Sequence, residues 1–320
     1  MGSTSIGSIW IVSAIVISTS ANYALPACAQ APLPEMPDYK MSVAVDEVSL
    51  TFHASDTHGL PINDLKLDEL TLLDNGKPPL KIISFKKTQD FPIRTAILLD
   101  TSESMGPYLA DNRAIAIDYA RNILRQQTDQ AFLIDFGFIS RLSQPWTSDA
   151  TALASSIQRT TAGRANPLGG TALFDTIFRA CFSEFGKIDH EASGNIILLF
   201  SDGEDNASHT SLKDAVDQCQ HSNTAIFAFR PDPKSGYSTG PKNLVELASQ
   251  TGGQVFHSDD SEAEIDTDLS TIESNLRNQY RLIYKPAELK HDDSFHHIEL
   301  HAPDRVEQQT IRTGYYDRPQ

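Results

Sequence analysis

The chain has 320 residues, 40% of them hydrophobic and 21% charged, and its 42 acidic against 26 basic residues give a net charge of −16. That balance excludes a nucleic-acid binder, whose affinity rests on Lys/Arg contacts to phosphate, and a basic patch docking on an anionic membrane. Three cysteines and 17 each of Gly and Pro exclude a disulfide scaffold and a collagen-like repeat, and the length predicts about two domains.

The first charged residue is Glu35, and an apolar stretch runs through Ile9–Val12 and Ala14–Ile17. It is shorter than the roughly 20 residues of a spanning helix, and small residues follow it to Ala27-Cys28-Ala29-Gln30. The layout predicts a secretory signal peptide over residues 1–29, although no Lys or Arg precedes the apolar core. Leu25-Pro26-Ala27-Cys28 keeps lipidation of Cys28 as an alternative, with Pro26 a poor fit to it. Residues 30–40 carry three prolines and read as an extended linker.

Residues 41–90 predict an all-β segment. Val43, Val45, Val48, Leu50 and Phe52 alternate, and Glu69–Leu73 and Leu80–Phe85 are further short strands between turn signals. From residue 91 the pattern changes. Arg94–Leu99, Asn195–Phe200 and Thr224–Phe229 are continuous apolar runs, as strands covered on both faces require. Residues 131–137 and Ile139–Trp146 are two more strands, and Gln254–Phe256 is a short one. Helical spacing fills 108–126, 148–159, 171–185, 209–221, 241–250 and 260–278. Strands alternating with helices predict a doubly wound, mostly parallel α/β domain over residues 91–278. The tail returns to β, with strands at Gln279–Tyr284, Phe295–Ala302 and Gln309–Tyr315 and a hairpin turn at Asp292-Asp293. Neither β segment is large enough for a comfortable core, so the halves at 41–90 and 279–320 are expected to combine into one small sandwich with the α/β domain inserted between them. Val45, Leu50, Phe52, Leu72 and Ile82 are expected to face Leu282, Tyr284, Ile298 and Leu300.

The chemistry-bearing residues follow the carboxyl ends of apolar strands, where open α/β sheets bind ligands. They are Asp100-Thr101-Ser102-Glu103-Ser104, Gly169-Gly170-Thr171 and Ser201-Asp202-Gly203. Asp100, Ser102, Ser104, Thr171 and Asp202 make a set of hard oxygen donors that suits Mg²⁺, with Mn²⁺ or Ca²⁺ as alternatives, rather than zinc or copper. Two carboxylates leave part of the cation's field unsaturated, so a water-filled position could accept a carboxylate from another molecule.

This three-part pattern resembles the von Willebrand factor A family and its metal-ion-dependent adhesion site. The likeness is nearer to secreted bacterial members, through Leu99-Asp100-Thr101-Ser102, Gly169 to Asp175, Ser201 to Asn206, Thr251-Gly252-Gly253, Leu276 to Tyr280 and Gly314-Tyr315-Tyr316. The resemblance implies a Rossmann-like fold, a divalent cation on the five residues, and recognition of a protein partner whose acidic side chain completes the metal shell, in a periplasmic or extracellular setting. A structural component of an envelope assembly is the alternative, and a metal-dependent hydrolase a more distant one. Glu103 departs from the pattern, where Gly is usual; it either alters the metal's field or only faces solvent.

The remaining features carry less. Cys181 and Cys219 lie on apolar helical stripes flanking one strand, and either a disulfide or two buried thiols explains them. His291, His296 and His297 fall on alternating faces, which argues against a second metal. Asp259, Asp260, Glu262, Glu264, Asp266 and Asp268 read as the first turns of a helix. Asp135, inside a strand, reads as a satisfied polar residue. No nucleophile elbow, phosphate-binding Gly-Lys loop or motif-loop histidine points to catalysis, so no enzyme is expected.

Overall fold

The computed structural model describes residues 47–57, 60–89, 92–163, 169–187, 194–232, 238–306 and 308–317. All of these lie in one compact unit, Ala44–Gln320. The expected signal peptide, the linker, Val43 and Val45 lie outside the described residues.

A six-stranded sheet forms the centre, in the order β6-β5-β4-β7-β8-β9. Its strands are β4 (Ile93–Asp100), β5 (Gln130–Phe136), β6 (Ser140–Thr147), β7 (Gly194–Phe200), β8 (Thr224–Arg230) and β9 (Val255–His257). All neighbours are parallel except the β5–β6 pair. The central strands are apolar at successive positions because helices cover both faces. On one face Ile97, Leu99, Leu133 and Leu198 pack against α1 (Leu109–Asn122), α2 (Ala150–Gln158) and α6 (Glu262–Arg277). On the other, Ala96, Leu98, Ile134 and Leu199 pack against α3 (Leu173–Arg179), α4 (Leu212–His221) and α5 (Gly240–Thr251). Side-chain caps fix three helix starts. The Asp149 carboxylate accepts from Thr151 N and Ala152 N, and capping boxes at Ser211/Asp214 and Ser261/Glu264 open α4 and α6. The acidic run is therefore split: Asp259 and Asp260 precede α6, and Glu262 and Glu264 lie in its first turn.

The helix expected over 171–185 begins at Leu173 and changes its winding partway. After Arg179 it widens into a π-turn, Ala180–Glu184, in which Cys181 is bonded to Cys219 of α4, their Cα atoms 5.1 Å apart.

The terminal segments form two antiparallel sheets. One has the order β12-β1-β10-β3, from β1 (Val48–Ser55), β3 (Lys81–Gln89), β10 (Asn278–Lys285) and β12 (Gln308–Thr310); the other is β13-β11-β2, from β2 (Thr71–Asp74), β11 (Phe295–His301) and β13 (Gly314–Tyr316). Each sheet draws on both ends of the chain, and Leu50, Phe52, Leu72, Leu282, Tyr284, Ile298 and Leu300 share one core. The pairing corrects the expected facing: Leu50 is the in-sheet partner of Leu282, and Leu72 that of Leu300. Asp292-Asp293 does not turn a hairpin. Both edges of β10 are taken by β1 and β3, so the link to β11 crosses to the other sheet. The strand expected over 309–315 is two strands, β12 and β13, one in each sheet.

The chain passes between the sandwich and the α/β body at β3–β4 and at α6–β10. A buried ion pair spans both crossings. Arg277 Nη2 donates to Asp129 Oδ2 at 2.6 Å, and Ile93 N donates to Asp129 Oδ1 at 2.9 Å. Burial pushes the Asp129 carboxyl up, but these hydrogen bonds outweigh it and hold the group below the ordinary carboxylate range.

Candidate metal centre

β4 and β7 end side by side, and the loops that leave them carry the two sequence-predicted carboxylates. Asp100 is fully buried, while Asp202, two residues past β7, is half-buried. Asp100 Oδ1 accepts from Ser102 N at 2.8 Å, which curls the first loop back on itself, and Oδ2 accepts from Ser201 Oγ at 2.7 Å. Ser102 Oγ and Ser104 Oγ are 3.2 Å apart, so alternate residues of the loop turn to the same side. Glu103, between them, is exposed.

Burial pushes the Asp100 carboxyl up to about 7, against the hydrogen bonds from Ser102 and Ser201, and the charge of Asp202 adds to the rise. The fold places this carboxyl in the interior and supplies hydroxyl and amide donors, but no basic side chain is among the causes of its shift.

Thr171 is 5% exposed and enters by a third loop. Its N–H donates to Asn206 Oδ1 at 2.8 Å, and its carbonyl accepts from Asn206 N and Ala207 N, each at 3.1 Å. The loop after β7 thus clasps the backbone of Thr171 from both sides. Gly170 makes this approach possible. Its φ is +91°, and a Cβ there would lie 2.8 Å from Asn206 Oδ1.

The same loop holds two helix starts. The Asp205 carboxylate accepts from Phe174 N at 2.9 Å, in the first turn of α3. Glu204 Oε1 accepts from Gly240 N at 2.9 Å, at the start of α5, and from Ser238 Oγ. The Ser238 hydrogen bond, with the backbone N–H, holds the Glu204 carboxyl below its ordinary range. Gly203 sits against Gly240, where a Cβ would lie 2.2 Å from the Gly240 carbonyl oxygen. Glu204, Asp205 and Asn206 entered the sequence reading only as part of a likeness. Their side chains are the frame of the centre, and the sole sequence signal was an unbroken Gly-Glu-Asp-Asn run after an apolar strand.

Among the described residues, no three His, Cys, Asp or Glu side chains converge as a metal-holding group. A cation here would rest on Asp100 and Asp202 with the hydroxyls of Ser102, Ser104 and Thr171. The donor chemistry fits: hard oxygens, two of them on carboxylates, one of which is buried with a raised pKa that a cation would reverse.

The other singled-out residues are structural. Asp135 is fully buried, and Arg141 Nη2 donates to it at 2.7 Å. His296 is buried between Asp74, at 2.7 Å, and the Tyr315 hydroxyl, at 3.1 Å, whereas His297 is exposed. The three histidines do not form a cluster.

The sequence profile of the von Willebrand factor type A domain matches residues 95–204. Among solved structures, the conserved hypothetical protein BatB from Bacteroides thetaiotaomicron is 19% identical, with a TM-score of 0.47 over 56% of this chain and 97% of that one. The proximal thread matrix protein 1 of mussel byssus, described with a zinc-occupied MIDAS motif, is 17% identical, with a TM-score of 0.48 over 64% of this chain and 50% of that one. A von Willebrand factor type A protein from Catenulispora acidiphila is 12% identical, with a TM-score of 0.45 over 80% of this chain and 75% of that one. No curated protein matches significantly. The profile match spans β4 to the loop after β7, the stretch that contains all five predicted ligands. Over residues 95–204, the α/β body of this chain is similar to the von Willebrand factor type A domain.

Proposed function

We propose that this chain is an exported protein-binding module in which Asp100, Ser102, Ser104, Thr171 and Asp202 hold a divalent cation, Mg²⁺ in first place, directly or through water. The cation supplies a Lewis-acidic position for an acidic side chain of a protein partner. The observation that carries the reading is Asp100: a buried carboxyl at the end of β4, its two oxygens accepting from Ser102 N and Ser201 Oγ, and raised to about 7 by burial with the charge of Asp202 adding to the rise. Ser201 and Ser102 N orient its two oxygens, and Asn206 and Gly170 fix where Thr171 stands. The Cys181–Cys219 bridge supports export, because disulfides persist in oxidising compartments. No described helix is long and apolar enough to cross a membrane.

Calorimetric titration of Mg²⁺ and Mn²⁺ tests the site. Asp100→Ala and Asp202→Ala are each expected to abolish high-affinity binding while the thermal unfolding transition persists. Unchanged metal affinity in both variants would sink the assignment. A native-envelope pull-down with and without chelator separates the adhesive reading from the scaffold alternative, since only the former needs the metal for partner capture.

A further inference from the structure

A cavity of about 240 Å³ opens beside the metal rim, between the start of β6 and the end of α2, lined by Arg141, Leu142, Ser143, Ser156, Arg159 and Thr160. Its charge runs against that of the chain, which is −16 overall. Two guanidinium groups line it. The carboxylate beside it, Asp135, is fully buried and already accepts from Arg141 Nη2 and Ser143 Oγ. Arg141 Nε is enclosed with no hydrogen-bond partner, and Arg159 is exposed, with Nη2 donating to Ser156 Oγ at 2.9 Å.

The end of a helix ordinarily repels an anion, because its last carbonyls carry negative partial charge. A third arginine offsets that here. Arg113 of α1 donates through Nη1 to the carbonyls of Gln158, at 3.2 Å, and Thr160, at 3.0 Å. Arginines of three elements therefore meet at the end of α2, and two of them line the concavity. The cavity also belongs to the rim. Gly163 N, three residues past Thr160, donates to Thr101 O at 2.9 Å. The register Asp100↔Phe136↔Ser140 puts β6 two strands from β4, roughly 10 Å across the sheet.

We propose that this cavity is a second binding site, for an oxyanion: a carboxylate, phosphate or sulfate group held by the forks of Arg141 and Arg159. Planar guanidinium groups lining one concavity match that chemistry. The site is independent of the cation, and a ligand with two acidic groups could reach both.

The test uses the full exported chain carrying Asp100→Ala, so that anion binding at the metal is removed. Inorganic phosphate and a hexaglutamate peptide are titrated by calorimetry. Saturable binding of at least one probe is expected, weakened about tenfold or more by Arg159→Gln and only partly restored in Arg159→Lys, which keeps the charge but not the fork. Arg159 is exposed, and its buried partner Ser156 Oγ still donates to Gln144 Oε1 at 2.8 Å when Arg159 is replaced. Tighter binding of hexaglutamate than of phosphate assigns the anion to a protein partner; the reverse order assigns it to a free or esterified oxyanion. The proposal is overturned if neither probe binds, or if Arg159→Gln binds as tightly as its parent. Cation binding retained by Asp100→Ala with the anion site intact would count against the metal reading only.

Discussion

At the end of the central sheet where β4 begins, Asp129 is fully buried, donated to by Arg277, Ile93 N and Arg125 N, and its carboxyl is held below the usual range. At the opposite end, Asp100 is just as buried, yet its carboxyl is raised to about 7, with only hydroxyl and amide donors and a second aspartate nearby. The sheet thus uses one residue type in two ways. A carboxylate matched with a guanidinium fastens the junction to the sandwich. A carboxylate left without a cation is one that an incoming cation can stabilise.

Breaking the matched end is expected to have the largest effect. Asp129→Ala strands the Arg277 guanidinium, 7% exposed, and removes the acceptor for Ile93 N at one of the two chain crossings. Loss of one partner from a buried pair typically costs about 3–5 kcal/mol. Urea unfolding should read that loss. A change within about 0.5 kcal/mol would mean the pair does not fasten the junction. Next in size is the bridge on the face away from α1. Cys181 and Cys219 are 38 residues apart, so reduction should cost up to about 4 kcal/mol by loop-closure entropy. A Cys181→Ala/Cys219→Ala variant with the parent's unfolding midpoint would show that the bridge contributes nothing.

The α/β body was legible because its signals are local. Each apolar run is one strand, most helical stripes are one helix, and four of the five oxygen donors fall at or within a few residues of the ends of β4 and β7, while Thr171 precedes α3. The sandwich was legible only as a composition of strands. Leu50 meets Leu282, and Leu72 meets Leu300, across more than 200 residues. Which edges of β10 are filled decides that no hairpin forms at Asp292-Asp293, and no window of sequence contains that information. The frame of the metal centre was hidden for a related reason. Asn206 reads as a surface turn residue until the fold sets it against Thr171.

That contact sharpens the unmatched end. Asn206→Ala removes the acceptor for Thr171 N while leaving all five proposed ligands in place. Groups that orient metal ligands typically contribute 10–100-fold to affinity, so about tenfold weaker Mn²⁺ binding is expected. Asn206→Asp keeps an acceptor oxygen and should bind nearly as the parent does. Equal affinities in parent and Asn206→Ala would mean that Thr171 needs no clasp.

The smallest effect concerns His53, at the matched end. The ring is 2% exposed, and its Nδ1 donates to the carbonyl of Asn278 at 2.8 Å, where α6 passes into β10. Burial lowers its pKa from 6.5, and the hydrogen bond to Asn278 only partly restores it. The sign follows from proton uptake. Below 6.5 the unfolded chain takes up a proton that the folded chain resists, so the unfolded state binds more protons and stability falls as the pH drops. Above 6.5 both states are neutral and the contribution is complete. Asp129 cannot produce this slope, because its carboxyl stays charged in both states until the pH falls toward 3.8. Urea unfolding of the parent should therefore lose stability between pH 6.5 and 5 relative to His53→Asn, which has no titrating ring. Parallel curves for the two proteins across that window would place the His53 proton equilibrium outside the junction's stability.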